Sequence, residues 1–278
     1  MVVTKQIDRF TDIVSKYELF IFDLWGVLHN GQALFPESLQ AIDYLRSQNK
    51  SCAFLSNSPR RAEEITRSLA TGGLILSEDD KVVTSLECFR HYVASNKAFI
   101  KNKKIFHLGK TKNAFDDMDV EFVSQIDNAD YIALFLFTET LDSFNELKEM
   151  FIKAIKLDIP VICINPDMVA LHGDAVRYTA GYFAKEYEKL GGKVIYFGKP
   201  HRPVYELLLK DRNISKDKVL AIGDSLLTDI KGANDFGIDS VLLYSKGIHK
   251  NMDFKNLDVV DKLFSEHNAF PSYTLKTL

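Results

Sequence analysis

Side chains able to act on a phosphate group follow four short apolar stretches of the sequence. They are Asp23, Ser56, Lys199 and Asp224. Short continuous apolar runs that end in turn residues are typical of strands buried on both faces of a parallel sheet. The chemistry of such sheets lies just beyond the carboxyl ends of the strands, and neighbouring strands lie about 5 Å apart. We therefore expect the four groups to share one pocket at one edge of a sheet.

The residue types in this predicted pocket suit metal-assisted phosphoryl transfer. Two carboxylates offer the hard oxygen ligands that Mg²⁺ prefers, and a carboxylate beside a metal can attack phosphorus to give an aspartyl-phosphate. The Lys199 ammonium and the Ser56 hydroxyl would hold phosphoryl oxygens. Taken alone, Ser56-Asn57 is more often an ordinary helix cap. The turn Gly223–Asp229 is more specific because it places two carboxylates around one strand-to-helix turn.

The elements that must position these residues alternate between strand and helix, which predicts a parallel α/β sheet. The middle of the chain has its own strands and a long amphipathic helix, and we interpret it as an inserted second α/β domain. The predicted division is residues 1–85 and 191–278 for the first domain and residues 86–190 for the second. No Ser/Gly-rich linker marks the boundaries. The strand expected at residues 194–197 is assigned to the first domain.

Composition excludes several functional classes. The chain has 278 residues, a formal net charge of -3 and a pI of about 6.2, so it lacks the global basic field that holds nucleic acid. The three scattered cysteines fit neither disulfide nor zinc spacing and favour a reducing compartment. We find no signal-peptide core at the N-terminus and no apolar run long enough for a bilayer. A cytoplasmic protein without a membrane or nucleic-acid partner is expected.

The ordered motifs resemble those of the haloacid dehalogenase superfamily of phosphohydrolases. They are Phe22–Leu28, Leu55–Asn57, Gly198–Pro200 and Gly223–Asp229. The insertion between the second and third motifs resembles the large α/β cap of subfamily IIA, which contains 4-nitrophenylphosphatase-like, phosphoglycolate, pyridoxal-phosphate and sugar-phosphate phosphatases. The resemblance implies a Rossmann-like core, a mobile cap that closes over the substrate, Mg²⁺ as cofactor and a small phosphorylated metabolite as substrate. It also allows a homodimer through the cap.

The same resemblance implies a role for each site residue. Asp23 would be the nucleophile and a metal ligand, and Asp224 the second metal carboxylate. The backbone carbonyl of Trp25 would complete the protein ligands, while Ser225 and Asp229 would orient the surroundings of Asp224. The residues implied to hold the phosphoryl group are Ser56, Asn57 and Lys199.

Trp25 departs from the pattern of these phosphatases, which carry a second aspartate two residues after the nucleophile. That aspartate protonates the leaving alkoxide and then activates water. Indole donates one hydrogen bond and exchanges no proton at neutral pH. General acid–base catalysis is typically worth about 10²–10⁴ in rate, so we expect slow turnover of substrates with poor leaving groups.

Three explanations of Trp25 stay open at this point. In the first, Trp25 is a packing residue in a protein that has lost catalysis. In the second, it belongs to an enzyme whose leaving groups, such as acyl phosphates or phenols, need no proton. In the third, another residue supplies the proton, and His29 is the nearest candidate in the sequence. The predicted function is a slow or specialised Mg²⁺-dependent phosphatase, with a non-catalytic phosphate-ligand binder as the alternative. Asn165-Pro166-Asp167 is interpreted as structural, with a place beside the substrate as the alternative.

Overall fold

The computed structural model describes residues 4–109, 113–138, 142–173 and 175–278. A seven-stranded sheet runs through its centre in the order β1-β15-β14-β13-β2-β3-β4, and every neighbouring pair is parallel. Its strands are β1 (Lys5–Gln6), β2 (Leu19–Phe22), β3 (Ser51–Ser56), β4 (Lys81–Thr84), β13 (Val219–Gly223), β14 (Asp239–Leu243) and β15 (Tyr273–Leu275). The associated helices are α1 (Pro36–Ser47), α2 (Ala62–Thr71), α3 (Ser85–Ser95), α6 (Arg202–Leu209), α7 (Lys231–Phe236) and α8 (Leu257–His267).

A second parallel sheet of five strands lies in the middle of the chain, in the order β12-β9-β7-β5-β6. Its strands are β5 (Lys103–Gly109), β6 (Val120–Val123), β7 (Tyr131–Phe135), β9 (Val161–Cys163) and β12 (Val194–Tyr196), and its helices are α4 (Asp142–Lys156) and α5 (Ala180–Lys189). A third, antiparallel sheet has the order β10-β11-β8, from β8 (Phe137–Thr138), β10 (Val169–His172) and β11 (Ala175–Thr179). The predicted fold class, a Rossmann-like parallel core with further α/β structure inserted, is confirmed.

The strand at residues 194–196 does not lie in the first sheet, where we expected it. It pairs in parallel with β9, with Val194 opposite Val161. The reason is topological: β12 follows helix α5 after a short turn, and a strand that follows such a helix packs back beside the preceding parallel strand. The chain therefore leaves the inserted region after β12 and not at residue 190. The wider division into two domains stays a prediction.

The first two sheets share one apolar core. A single cluster of buried residues contains Ile21 and Leu55 from the first sheet and Ile105 and Ile162 from the second. Helix α3 lies between them, and its Phe89 ring packs edge-on against Phe197 with 5.1 Å between centroids. A separate cluster fills the other face of the first sheet beneath α1 and α2.

No helix in the described ranges combines the length and the apolar character that crossing a membrane requires.

Candidate active site

The carboxyl ends of three adjacent central strands carry three of the predicted site residues. Asp23 follows β2 directly, Ser56 is the last residue of β3, and Asp224 follows β13. Strand β2 pairs with β13 on one side and with β3 on the other. The Asp23 N–H donates to the Ile222 carbonyl at 2.9 Å, which extends the ladder by one residue. All three side chains are buried.

Three buried carboxylates form a cluster beyond these strand ends. Asp23, Asp224 and Asp229 each place an oxygen within 4.8 Å of the other two. Asp229 accepts hydrogen bonds from the N–H groups of Asp224 (3.2 Å) and Ser225 (3.1 Å). The Ser225 hydroxyl in turn accepts from the Thr228 N–H and caps the π-helical turn Leu226–Ile230. The turn after β13 therefore holds the Asp229 carboxylate through its own N–H groups, while the Ile248 N–H donates to Asp224 Oδ2 at 2.9 Å.

Lys199 is the cation that faces this cluster. Its Nζ lies 2.5 Å from Asp23 Oδ1 and 2.6 Å from Asp229 Oδ1, and it donates to the Leu55 carbonyl at 3.2 Å. The side chain is almost fully buried. One ammonium thus faces three carboxylates, and the cluster as a whole favours a further positive charge.

Asn57 fastens the Lys199 turn to the loop after β3. Its Oδ1 accepts the Lys199 N–H at 2.7 Å, and its Nδ2 donates to the Lys199 carbonyl at 3.0 Å and to Asp167 Oδ1 at 2.8 Å. Gly198 makes this approach possible, because a Cβ there would lie 2.4 Å from Asn57 Oδ1 and the backbone has φ +116°. Both amide donors of Asn57 are engaged, so its backbone N–H is the group left for the predicted phosphate contact.

Asp167 joins the site from the second sheet, which the structural interpretation of Asn165-Pro166-Asp167 left out. It accepts from Asn57 and receives the Thr179 hydroxyl on its backbone carbonyl. Burial raises the pKa of the Asp167 carboxyl, while the charge of Lys199 opposes that shift. The available sequence signal was the position of Asp167 just after an apolar strand.

Burial and mutual repulsion shift the titration of the carboxylate cluster. Burial, reinforced by the charge of Asp229, raises the pKa of Asp224 to about 8. Burial also raises the pKa of Asp23 well above its usual range, although the charge of Lys199 opposes this. The pKa of Lys199 is raised: burial opposes the charged form, but Asp229 and Asp23 outweigh it. The protein alone therefore holds protons that a bound divalent cation would displace.

Trp25 lies between the carboxylate cluster and the antiparallel sheet. Its Nε1 donates a hydrogen bond to the Leu171 carbonyl. Its ring lies 5.0 Å from the His29 ring and 6.2 Å from the His172 ring. The residue after it must be glycine, because Gly26 has φ +82° and a Cβ there would lie 2.3 Å from Asp224 Oδ2.

Two cavities meet at Trp25. The first, which we call the carboxylate chamber, has a volume of about 70 Å³ and is lined by the carboxylate cluster, Lys199, Ser225, Trp25 and residues 167–171. The second, which we call the side pocket, has a volume of about 410 Å³. Its lining includes Ser56, Trp25, His29, Arg60, Phe137 and His172. The structure thus brings Asp23, Asp224 and Lys199 together, whereas Ser56, which we expected in the same pocket, faces the side pocket.

His29 is a neutral imidazole in the side pocket. Burial, with a smaller contribution from the charge of Arg60, lowers its pKa to about 4. Its Nδ1 accepts the Gly31 N–H at 3.0 Å, so the ring proton lies on Nε2.

The parallel α/β sheet and the buried carboxylates at its carboxyl edge define an α/β protein with a Rossmann-like core, and comparison with known proteins gives its family. Residues 20–121 match the haloacid dehalogenase-like hydrolase family, and residues 196–264 match the HAD-hydrolase-like family. The chain belongs to the haloacid dehalogenase superfamily, which confirms the resemblance at that level.

Individual relatives span nearly the whole chain. A 4-nitrophenylphosphatase of Schizosaccharomyces pombe is 22% identical over 94% of this chain and 95% of its own length. A haloacid dehalogenase-like hydrolase of Brucella suis has a crystal structure with a TM-score of 0.81 and 29% identity, covering 98% of this chain and 99% of that one. A possible sugar phosphatase of Cytophaga hutchinsonii gives a TM-score of 0.77 and 26% identity, over 98% of each chain. The named relatives support the prediction of a phosphatase.

Proposed function

We propose that this protein is a Mg²⁺-dependent phosphatase of small phosphorylated metabolites, acting through an aspartyl-phosphate on Asp23. The observation that carries the proposal is the buried carboxylate cluster, in which Lys199 supplies one positive charge against three carboxylates. Like charges this close do not all ionise without compensation. A hard divalent ion with oxygen ligands provides that compensation.

The residues divide the work as follows. Asp23, Asp224 and the carbonyl of Trp25 would hold the ion, which when bound neutralises charge on the phosphoryl oxygens. A free Asp23 oxygen attacks phosphorus and the bond to the leaving oxygen breaks, which gives the aspartyl-phosphate and the leaving-group anion. Water then attacks the same phosphorus, the bond to Asp23 breaks, and inorganic phosphate leaves while the proton of the water passes to solvent. Lys199 holds a phosphoryl oxygen and orients Asp23, and its charge opposes the rise in the Asp23 pKa that burial causes. Asp229 fixes the Asp224 turn through two backbone N–H groups.

The leaving group would lie in the side pocket, against Trp25. The indole N–H is already bonded to Leu171, and an indole cannot return a proton to an alkoxide. His29 is neutral and its Nε2 proton is tightly held at neutral pH. We therefore propose acyl or aryl phosphates as preferred substrates, because their anions leave without protonation. Arg60 at this pocket favours leaving groups that carry a negative substituent.

A second candidate function is a phosphate-ligand binder without turnover. The observation that favours it is the Trp25–Leu171 hydrogen bond, which occupies residue 25 with a structural contact. Such a protein would keep the same Mg²⁺ site and the same Lys199 contacts.

One panel of substrates separates the two functions. We expect p-nitrophenyl phosphate and acetyl phosphate to be hydrolysed with Mg²⁺ much faster than glucose 6-phosphate, and chelation of Mg²⁺ to stop the reaction. Absence of turnover with all three, together with Mg²⁺-dependent binding of orthovanadate, would support the binder. Absence of both turnover and binding would reject both functions.

A further inference from the structure

The strand β10 lies at the edge of the antiparallel sheet, and its open side faces the loop that carries Trp25. The Leu171 carbonyl accepts from Trp25 Nε1, and the Gly173 N–H donates to the Asn30 carbonyl at 2.9 Å. Gly173 follows the last residue of β10 and has φ +61°, so one hydrogen bond comes from the strand and the other from the turn after it. Together they fasten this edge to the loop at residues 25–30.

Close packing accompanies these two hydrogen bonds. Gly31 packs against the side chains of Trp25 and His172. A Cβ at position 31 would be 2.6 Å from Trp25 Cζ2 and 2.8 Å from His172 Nδ1. Gly173 comes similarly close to the first domain, with 3.0 Å between a Cβ and Gln32 Nε2. No side chain larger than hydrogen fits at position 31 while the indole and the imidazole keep these places.

The contact determines the size of the carboxylate chamber. Residues 167–171 form its roof, and Trp25 forms part of its wall. With the hairpin seated on Trp25, the chamber has about 70 Å³, which is room for a few waters or for an ion and a phosphoryl group. With the hairpin of β10 and β11 in this position, the chamber is too small for a bulky ligand.

We propose that Trp25 is a positioning residue that holds this hairpin closed over the phosphoryl site. Residue 25 then controls access to the site through its indole N–H and takes no part in proton transfer. An aspartate at this position could not make the bond, because a carboxylate offers no N–H to the Leu171 carbonyl. The effect on substrate binding rests on the proposed function, whereas the closure itself does not.

Trp25 is the single tryptophan of the chain, so its fluorescence reports on the contact directly. We expect Gly31→Ala to displace the indole and to raise quenching of its emission by acrylamide. Gly191→Ala is the matched control, since Gly191 also has a positive φ, of +96°, but a Cβ there meets nothing within 4 Å. Equal quenching in the wild type and both variants would overturn the proposal.

Trp25→Phe tests the hydrogen bond without the loss of an aromatic ring. Loss of one hydrogen bond shifts the equilibrium between the closed and the open hairpin by about 2- to 12-fold. Hydrogen exchange in residues 168–173 should therefore accelerate by that factor. We also expect the KM for p-nitrophenyl phosphate to rise by a similar factor, with a smaller change in kcat. Unchanged exchange in a folded Trp25→Phe protein would overturn the proposal, as would a fall in kcat at constant KM.

The two measurements also separate this proposal from the proposed function. Fluorescence and hydrogen exchange need no turnover. If no phosphate ester is hydrolysed but Gly31→Ala exposes the indole and Trp25→Phe accelerates exchange, the closure stands and the phosphatase proposal fails.

Discussion

Two parts of the carboxylate chamber differ in how they are held in place. We call Asp23, Asp224, Asp229 and Lys199 its floor, and the hairpin of β10 and β11 its roof. The floor consists of charged side chains from two sheets: Asp23 and Asp224 follow central strands of the first sheet, Asp229 lies in the turn after β13, and Lys199 lies just beyond β12 of the second sheet. Backbone N–H groups hold Asp224 and Asp229 in place. The roof is an antiparallel hairpin whose edge contacts the loop at residues 25–30 through the Trp25 and Asn30 hydrogen bonds. We therefore expect changes in the floor to act on the metal and the phosphoryl group, and changes in the roof to act on access to them.

The largest expected effect is on the floor, at Asp23. Asp23→Asn removes the nucleophile, and we expect turnover of p-nitrophenyl phosphate to fall by at least about 10³-fold. Circular dichroism should show a retained fold. Asp158→Asn is the control, because Asp158 is an exposed carboxylate paired with Lys193. Full activity in Asp23→Asn would show that Asp23 is not the nucleophile.

Trp25→Asp replaces the residue that contacts the hairpin with a proton donor. It therefore tests both the chemistry at residue 25 and its control of access. A carboxyl group at position 25 should raise kcat for an alkyl ester such as glycerol phosphate by about 10- to 100-fold, while KM rises because the Leu171 bond is lost. Trp25→Asn is the matched control, since it has the same shape but no exchangeable acid. Equal kcat for the two folded variants would place residue 25 away from the leaving group.

Lys199→Ala tests whether the cation of the floor binds phosphate. A hydrogen bond to a charged group is worth about 1.5–3 kcal/mol, so Mg²⁺-dependent binding of orthovanadate should weaken about tenfold or more. Stability should also fall, because Asp23 and Asp229 lose their buried partner. Lys193→Ala removes an exposed lysine for comparison. Undiminished vanadate binding in Lys199→Ala would remove Lys199 from the phosphate site.

The remaining prediction concerns the dependence of Mg²⁺ binding on pH. The folded protein keeps the Asp224 proton up to about pH 8, whereas the unfolded chain loses it near 3.8, so the free energy of unfolding without metal falls as pH rises between these values. Mg²⁺ must displace that proton, and its affinity should rise about tenfold per pH unit below 8.

Titration of the thermal unfolding midpoint with Mg²⁺ at pH 6 and pH 7.5 measures this dependence. Asp224→Asn should bind Mg²⁺ weakly at both values. An affinity for Mg²⁺ that is the same at pH 6 and pH 7.5 in the wild-type protein would contradict the assignment of Asp224 as a ligand.

The sequence predicted those parts of the site that follow from local pattern. An apolar run that ends in a polar residue marks a buried strand end wherever it occurs, and in a parallel sheet such ends meet. The proximity of Asp23, Asp224 and Asp229 could be predicted in this way. Helix α1 begins at Pro36 for a similarly local reason, since proline is favoured in the first turn.

The remaining features depend on contacts between distant residues. Strand β12 has the same apolar character as β2, and only its pairing with β9 shows that it belongs to the second sheet. The segment at residues 169–179 forms a hairpin over the site, and the partner of the Trp25 N–H is a backbone carbonyl 146 residues away. Backbone carbonyls carry no sequence signal, so this bond could not be predicted from residue types.

The apolar cluster shared by the first two sheets has a consequence for how substrates exchange. Ser85 strengthens this junction, because its one hydroxyl hydrogen lies within hydrogen-bond reach of both the Asn57 carbonyl, at 2.8 Å, and the carbonyl of Ile164. Swinging the whole second sheet away would expose Phe89, Phe197 and their neighbours to water, at about 25 cal/mol for each Å² of apolar surface. Lifting the hairpin breaks two hydrogen bonds and a ring contact. If ligands enter by movement of the hairpin alone, the residues of the hairpin can vary between related proteins while the carboxylate cluster keeps its geometry.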